Sequence, residues 1–186
     1  MLYSLSIMIE YLDILDANGD KTGVTKPKSD AHRDGDWHRT AYIWFVNSKG
    51  EVLLQKRSLK KDTSGGLWDI SAAGHVSAGQ TSIEGAIRET REELGVDILP
   101  EDLQFICTAK TEGKPRQNPQ FHNREFQDSY LVRRDLDISK LTLQASEVDE
   151  VKWVDIHEFK KWTLEERSDL VRHPEVYKKL FEFLNI

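Results

Sequence analysis

The chain has 186 residues, 38% hydrophobic and with five Trp, which is enough to bury the core of one domain and too apolar for a disordered polymer. Its net charge of −6 argues against nonspecific binding to duplex nucleic acid, and a single cysteine, Cys107, excludes an internal disulfide and a cysteine-rich zinc site. No stretch approaches the length of a membrane span, and residues 1–8 are too short and lack the basic start of a secretory signal, so the cytoplasm is the expected compartment.

Residues 11–15 alternate like a strand and Asn18-Gly19-Asp20 reads as a turn, which predicts a small N-terminal β-hairpin ending near Lys28. The polar run His32-Arg33-Asp34-Gly35-Asp36-Trp37-His38 follows. Residues 40–47 read as a buried strand, Ser48-Lys49-Gly50 as a turn and residues 52–56 as the returning strand. A basic, glycine-containing loop over 58–66 carries Lys60 and Lys61, expected in solvent. Residues 67–71 then lead into the stretch GHVSAGQTSIEGAIRETREELGV, residues 74–96.

The second half of that stretch predicts a helix. Thr81 and Glu84 have the spacing of a capping box, and Gly95 stands where a left-handed helix end belongs. Ile83, Ile87, Thr90 and Leu94 fall in one stripe, the expected core face, roughly 60° wide at about 100° per residue. Glu89, Glu92 and Glu93 gather on the other side, the expected wet face. Three acids so close repel one another and call for either solvent or a cation. Hard oxygen ligands crowded on one face suit Mg2+, which keeps several waters and bridges to substrate phosphates.

Beyond the helix, Pro100 breaks the chain and residues 103–108 read as a strand that buries Cys107. Residues 112–123, with Gly113, Pro115, Asn118, Pro119 and His122, form a loop of the length that serves function or moves. Strands are predicted over 126–132 and 150–154, with Asp155 capping a helix to about residue 162. A last helix from Pro174 carries Val176, Leu180, Phe183 and Leu184 as its core stripe. Strands through the middle, one long helix among them and two helices at the end predict an α/β fold with a mixed sheet.

Gly74, Arg88-Glu89 and Glu92-Glu93-Leu94-Gly95-Val96 match the signature G-x5-E-x7-R-E-U-x-E-E-x-G-U, so the chain resembles the Nudix family over roughly residues 37–159. The resemblance implies an α/β/α sandwich, with residues 1–38 an extension packed on a catalytic domain of residues 39–186. It implies hydrolysis of a diphosphate linkage in a nucleoside diphosphate derivative or similar small organic diphosphate, using Mg2+ or alternatively Mn2+. Carried onto this sequence, Glu89, Glu92 and Glu93 hold metal, Gly74 offers its carbonyl, and Arg88 orients the glutamates. Gln80 departs from the pattern, standing where the family has its first Glu. Thr90 replaces an aliphatic residue.

The runs WHRTAYIWFVNSKGEVLLQKRS and GLWDISAAGHV further resemble the branch that contains isopentenyl-diphosphate isomerase, in which histidines and late-strand glutamates bind a metal. Here His32, His38 and His75, with Glu125 and Asp128 in the late strand, are the matching candidates for a second metal or for phosphate contact, beside a purely structural role. That isomerase needs a cysteine before its Gly-His. Ala73 stands there and cannot move a proton. A glutamate outside the helix, Glu125 or Glu147, is expected to complete the metal site or act as general base. Arg57 is the candidate diphosphate contact, Phe121 a stacking candidate, and Trp37 and Trp68 are expected in the core. No membrane or duplex nucleic-acid partner is implied, and a homodimer is left open.

Overall fold

The computed structural model describes residues 9–61, 63–114 and 121–186, so the readings made for residues 1–8 and for Pro115, Asn118 and Pro119 lie outside the described residues. Strands β1 (Tyr11–Leu15) and β2 (Lys21–Pro27) form the expected hairpin. Hydrogen bonds tie it down, from Leu15 N to the Trp37 carbonyl at 2.8 Å and from Ala78 N to the Tyr11 carbonyl at 2.7 Å. An unforeseen helix, α1 (Lys28–Asp34), then takes up the first part of the polar run, entered at Pro27 and ended by Gly35 in the left-handed region.

The central sheet contains β3 (His38–Val46), β4 (Glu51–Arg57), β5 (Trp68–Asp69), β6 (Ala72–His75), β7 (Gln104–Gly113), β8 (Asn123–Arg133) and β9 (Val148–Asp155). Its main path runs β5-β4-β3-β8-β7, with β6 paired to β3 and β9 to β4. The sheet is mixed: β3 and β8 run parallel from His38 opposite Glu125 to Val46 opposite Arg133, while the other pairs are antiparallel. Alternation along β3 sends its side chains to opposite faces. Tyr42, Trp44 and Val46 join one apolar cluster with residues of α3 (Ile156–Leu164) and α4 (Pro174–Leu184). Ala41, Ile43 and Phe45 join the other with Ala86 and Leu94 of α2 (Ser82–Leu94). The result is the expected α/β/α arrangement. Each fully buried residue such as Ile43 or Phe45 contributes about 1.5–3 kcal/mol by leaving water.

Several local expectations are corrected. On α2, Ile83 is 38% exposed, whereas Glu89 and Glu93 are buried along with Gly85, Ala86, Thr90 and Leu94. The supposed wet face is therefore partly an interior one, because β6 and β4 close over it. On α4, Phe183 is turned outward and Tyr177 and Phe181 fill the core instead. Cys107 is only half-buried, since β7 is an edge strand whose register shifts between Phe105 and Cys107. Trp68 is buried as expected. Trp37 is half-buried, packed on Phe126 with Lys110 Nζ 4.4 Å from its ring centre.

Candidate active site

The capping box forms as its spacing predicts: Glu84 N donates to the Thr81 hydroxyl (3.2 Å), and Thr81 N to the Glu84 carboxylate (2.7 Å). That fixes the start of α2, and Gly95, at φ 68°, ends it. Between these ends the helix delivers its glutamates to a cleft of about 1100 Å³. Glu93 is buried, its Oε2 accepting from Ala73 N and from Gln55 Nε2, both at 3.1 Å. Glu89 lies against the backbone of β6. A Cβ added at Gly74 would fall 2.0–2.3 Å from its carboxylate atoms, so only glycine admits that approach.

Arg88 is the organiser beside them. Its Nη2 lies 2.8 Å from Glu89 Oε1 and donates to the His75 carbonyl at 2.6 Å, and its Nη1 donates to Glu92 Oε2 at 2.9 Å. Gln80 accepts from Arg88 Nε at 3.4 Å, so the amide that replaces the signature glutamate buttresses the arginine. Among the described residues Glu89 Oε2 and Glu93 Oε1 have no hydrogen-bond partner. Burial pushes the Glu89 carboxyl up to about 7, with Arg88 opposing the shift and Glu92 adding to it. Burial, and then the neighbouring charge of Glu89, pushes Glu93 up to about 8. Two buried acids that resist ionisation together are an environment that a bound cation relieves.

A second cluster stands in the same cleft. One ligand atom from each of His32, His38, His75 and Glu125 lies within 4.8 Å of the others. His32 and His38 point Nδ1 at the carbonyls of Lys28 and Asp36, both at 2.9 Å, so Nδ1 carries the proton and each Nε2 presents a lone pair inward. His75 Nε2 is 3.3 Å from His32 Nε2 and 3.9 Å from Glu125 Oε1. Among the described residues His38 Nε2 is buried without a hydrogen bond, 3.8 Å from Glu125 Oε1. Burial holds His32 down to about 4 and His75 well below its usual range, which keeps both rings neutral and ready to ligate. Converging lone pairs and one carboxylate fit a metal ion. The nitrogen-rich set suits an imidazole-binding transition metal better than Mg2+.

The remaining candidates divide. Asp128 is not part of this cluster: both its oxygens are taken by Arg39 at 2.8 Å, and Thr108 donates to one of them. Phe121 stacks on His32 at the cleft, with ring centres 4.0 Å apart. Glu147 lines the cleft and is paired with Lys61. Lys61 lines it too, half-buried, whereas Lys60 lines it and is exposed to solvent as expected. Arg57 lines the cleft, but its Nη1 already donates to Asp69 Oδ2 (3.1 Å), and Nε and Nη2 to the Thr63 carbonyl (3.3 Å each). Sequence reasoning passed over Thr40, Tyr42, Asp69 and His173, which complete the cleft wall. The spacing His38-Thr40-Tyr42 was the available signal: three polar groups in succession on one face of a buried strand.

The comparisons bear on family and fold. The family model for the NUDIX domain matches residues 36–173. Nudix hydrolase 3 of Arabidopsis thaliana is 41% identical over 180 residues, 94% of this chain, and the chain spans 23% of that protein's length. An uncharacterized Nudix hydrolase of Clostridium acetobutylicum is 35% identical over 156 residues, 82% of this chain and 73% of its own. An isopentenyl-diphosphate Delta-isomerase of Escherichia coli is 28% identical over 154 residues, 79% of this chain and 78% of its own. Among solved structures, DR0079 from Deinococcus radiodurans shares the fold with a TM-score of 0.66 at 20% identity, over 91% of this chain and 96% of that one. With a family match over most of its length and the signature helix in place, the chain belongs to the Nudix family.

Proposed function

We propose that this protein is a divalent-metal-dependent pyrophosphohydrolase acting on a nucleoside diphosphate derivative or a related small organic diphosphate. The observation that carries the reading is the pair of buried glutamates, Glu89 and Glu93, facing one cleft with carboxyls that burial and neighbouring carboxylates hold above their usual range. Glu89 and Glu92, with the Gly74 carbonyl, are the oxygen donors for Mg2+, and His32, His38, His75 and Glu125 are the donors for a second, transition-metal ion. When bound, such ions neutralise phosphate oxygens and lower the pKa of a coordinated water.

The protein's own groups do the rest. Arg88 clamps Glu89 and Glu92 in a fixed relation, so the donors need no reorganisation when substrate arrives. Glu93 accepts the proton of the attacking water. Its carboxyl is fixed by Ala73 N and Gln55, and cations held beside it would favour the ionised form that accepts a proton. Glu125 is committed to the histidine cluster and Glu147 to Lys61, which leaves Glu93 the better candidate. Lys60 and Lys61 supply positive charge where the diphosphate would lie.

A second reading, an isomerase-like enzyme, draws on the histidine cluster and on the likeness to isopentenyl-diphosphate isomerase. Position 73 argues against it. Ala73 contributes only its backbone N–H, to Glu93, and has no proton to transfer. The test is a panel of organic diphosphates, isopentenyl diphosphate among them, incubated with and without Mg2+ or Mn2+ and scored for monophosphate release and for alkene isomerisation. Metal-dependent monophosphate release is expected. Isomerisation alone, or binding of diphosphates with no release under any metal, would overturn the reading.

A further inference from the structure

Opposite the glutamates, one stretch of cleft wall has hydrogen-bonding capacity that the hydrolytic reading does not use. Thr40 and Tyr42 lie next to each other on one face of β3, 3% and 7% exposed. The Thr40 hydroxyl is buried and makes no hydrogen bond among the described residues. The Tyr42 hydroxyl accepts from Gln127 Nε2 at 2.7 Å, and among the described residues nothing accepts its own proton. Beside them is His173, whose ring centre is 5.2 Å from that of Tyr42.

Asp69 sets the tautomer of His173. Asp69 Oδ1 accepts from Ile70 N at 2.8 Å and faces His173 Nε2 at 2.9 Å, while Oδ2 accepts from Arg57 at 3.1 Å. Burial works against ionisation, but His173, Arg57 and the Ile70 N–H outweigh it and hold the Asp69 carboxyl below its usual range. A carboxylate only accepts, so Nε2 carries a proton toward Asp69 and Nδ1 is left for a further hydrogen bond. Among the described residues Nδ1 has no partner. The wall thus offers two hydroxyls and the free edge of one imidazole to the same cleft.

We propose that Thr40, Tyr42 and the Asp69-braced His173 form a subsite for a hydroxyl-bearing half of the substrate, so that the enzyme prefers diphosphates whose second half is a sugar over those ending in a plain alkyl group. This deepens the pyrophosphohydrolase reading and rests on it. An apolar group against this wall would bury donors and acceptors without partners, whereas a vicinal diol both donates and accepts. Gln127 links the wall to the histidine cluster, donating also to Glu125 Oε2 at 2.8 Å, so the subsite and the proposed metal donors share one rigid hydrogen-bonded scaffold.

The experiment compares ADP-ribose with the ethyl ester of ADP, which has the same base, first sugar and diphosphate but no hydroxyls on the far half. Wild-type kcat/KM should favour ADP-ribose by roughly tenfold or more, chiefly through KM. Thr40→Val and Tyr42→Phe each remove one oxygen and little shape. Each should raise KM for ADP-ribose roughly fivefold or more relative to KM for the ester, and so erase the preference. A purely structural role for these groups would lower thermal stability without altering the ratio between the two compounds. Equal use of both compounds by wild type, or a preference retained in both variants, overturns the subsite. Failure on both compounds while other diphosphates in the panel are cleaved also overturns it and leaves the hydrolase standing. Cleavage of no diphosphate with any divalent metal removes the hydrolase, and the subsite with it.

Discussion

Gly74 shows how little space the site leaves: the Glu89 carboxylate occupies the volume that any side chain at position 74 would need. Gly74→Ala should therefore destabilise the fold by about 1–3 kcal/mol, read by denaturant melts, and should raise the Mg2+ concentration needed for half-maximal turnover. The variant is harmless only if Glu89 does not sit where it is described. His38 offers a different single-residue test, because its buried Nε2 has no hydrogen-bond partner among the described residues and lies 3.8 Å from Glu125. Co2+ added to the metal-free protein should give the visible absorption of a nitrogen-rich site, and His38→Ala should abolish it. Identical spectra for the two proteins would mean that the histidines gather for packing alone.

At the level of elements, α2 is held at its start by the Thr81–Glu84 box, and Thr81→Ala should cost about 1 kcal/mol of stability in a chemical melt while Km for metal stays constant. The ends of this helix were legible because capping chemistry is local, set by Thr81, Glu84 and Gly95 themselves. Its faces were less so. A period of 3.6 residues shows which side chains lie together, but not what covers them. Ile83 came out exposed, and Glu89 and Glu93 were enclosed by β6 and β4, strands that lie outside the helix window. Phe183 and Phe181 on α4 exchanged roles for the same reason. Helix α1 was missed because its polar sequence, including the buried His32, is explained by the cluster it serves rather than by amphipathic patterning.

For the whole molecule, the glutamates and histidines oppose each other in their response to pH. Between about 4.5 and 8 the folded protein holds protons on Glu93, and over a narrower range on Glu89, that the unfolded chain has released, so stability falls as pH rises. His32, held down to about 4 from 6.5, does the reverse between those values: the unfolded chain binds the proton, and stability rises with pH. His75 acts in the same direction. The two effects oppose each other below 6.5, and only the glutamates act above it. Thermal midpoints measured with chelator should therefore decline from about pH 6.5 to pH 8, and Mg2+ or Mn2+ should reverse the decline, increasingly so at higher pH. The sequence disclosed the helix glutamates by their spacing. The wall of Thr40, Tyr42, Asp69 and His173 stayed hidden because it draws on β3, β5 and the residue before α4, which only the folded sheet brings together.

The account turns on Glu93 acting with divalent metal at a diphosphate. The most direct measurement follows monophosphate release by 31P NMR from a diphosphate that the wild type cleaves, in wild type and Glu93→Gln, with chelator and with saturating Mg2+ or Mn2+. The wild type should be silent in chelator and active with metal, and Glu93→Gln should keep its folded spectrum while losing roughly a hundredfold or more in kcat. Release that persists in chelator, or a Glu93→Gln rate equal to wild type, would contradict it.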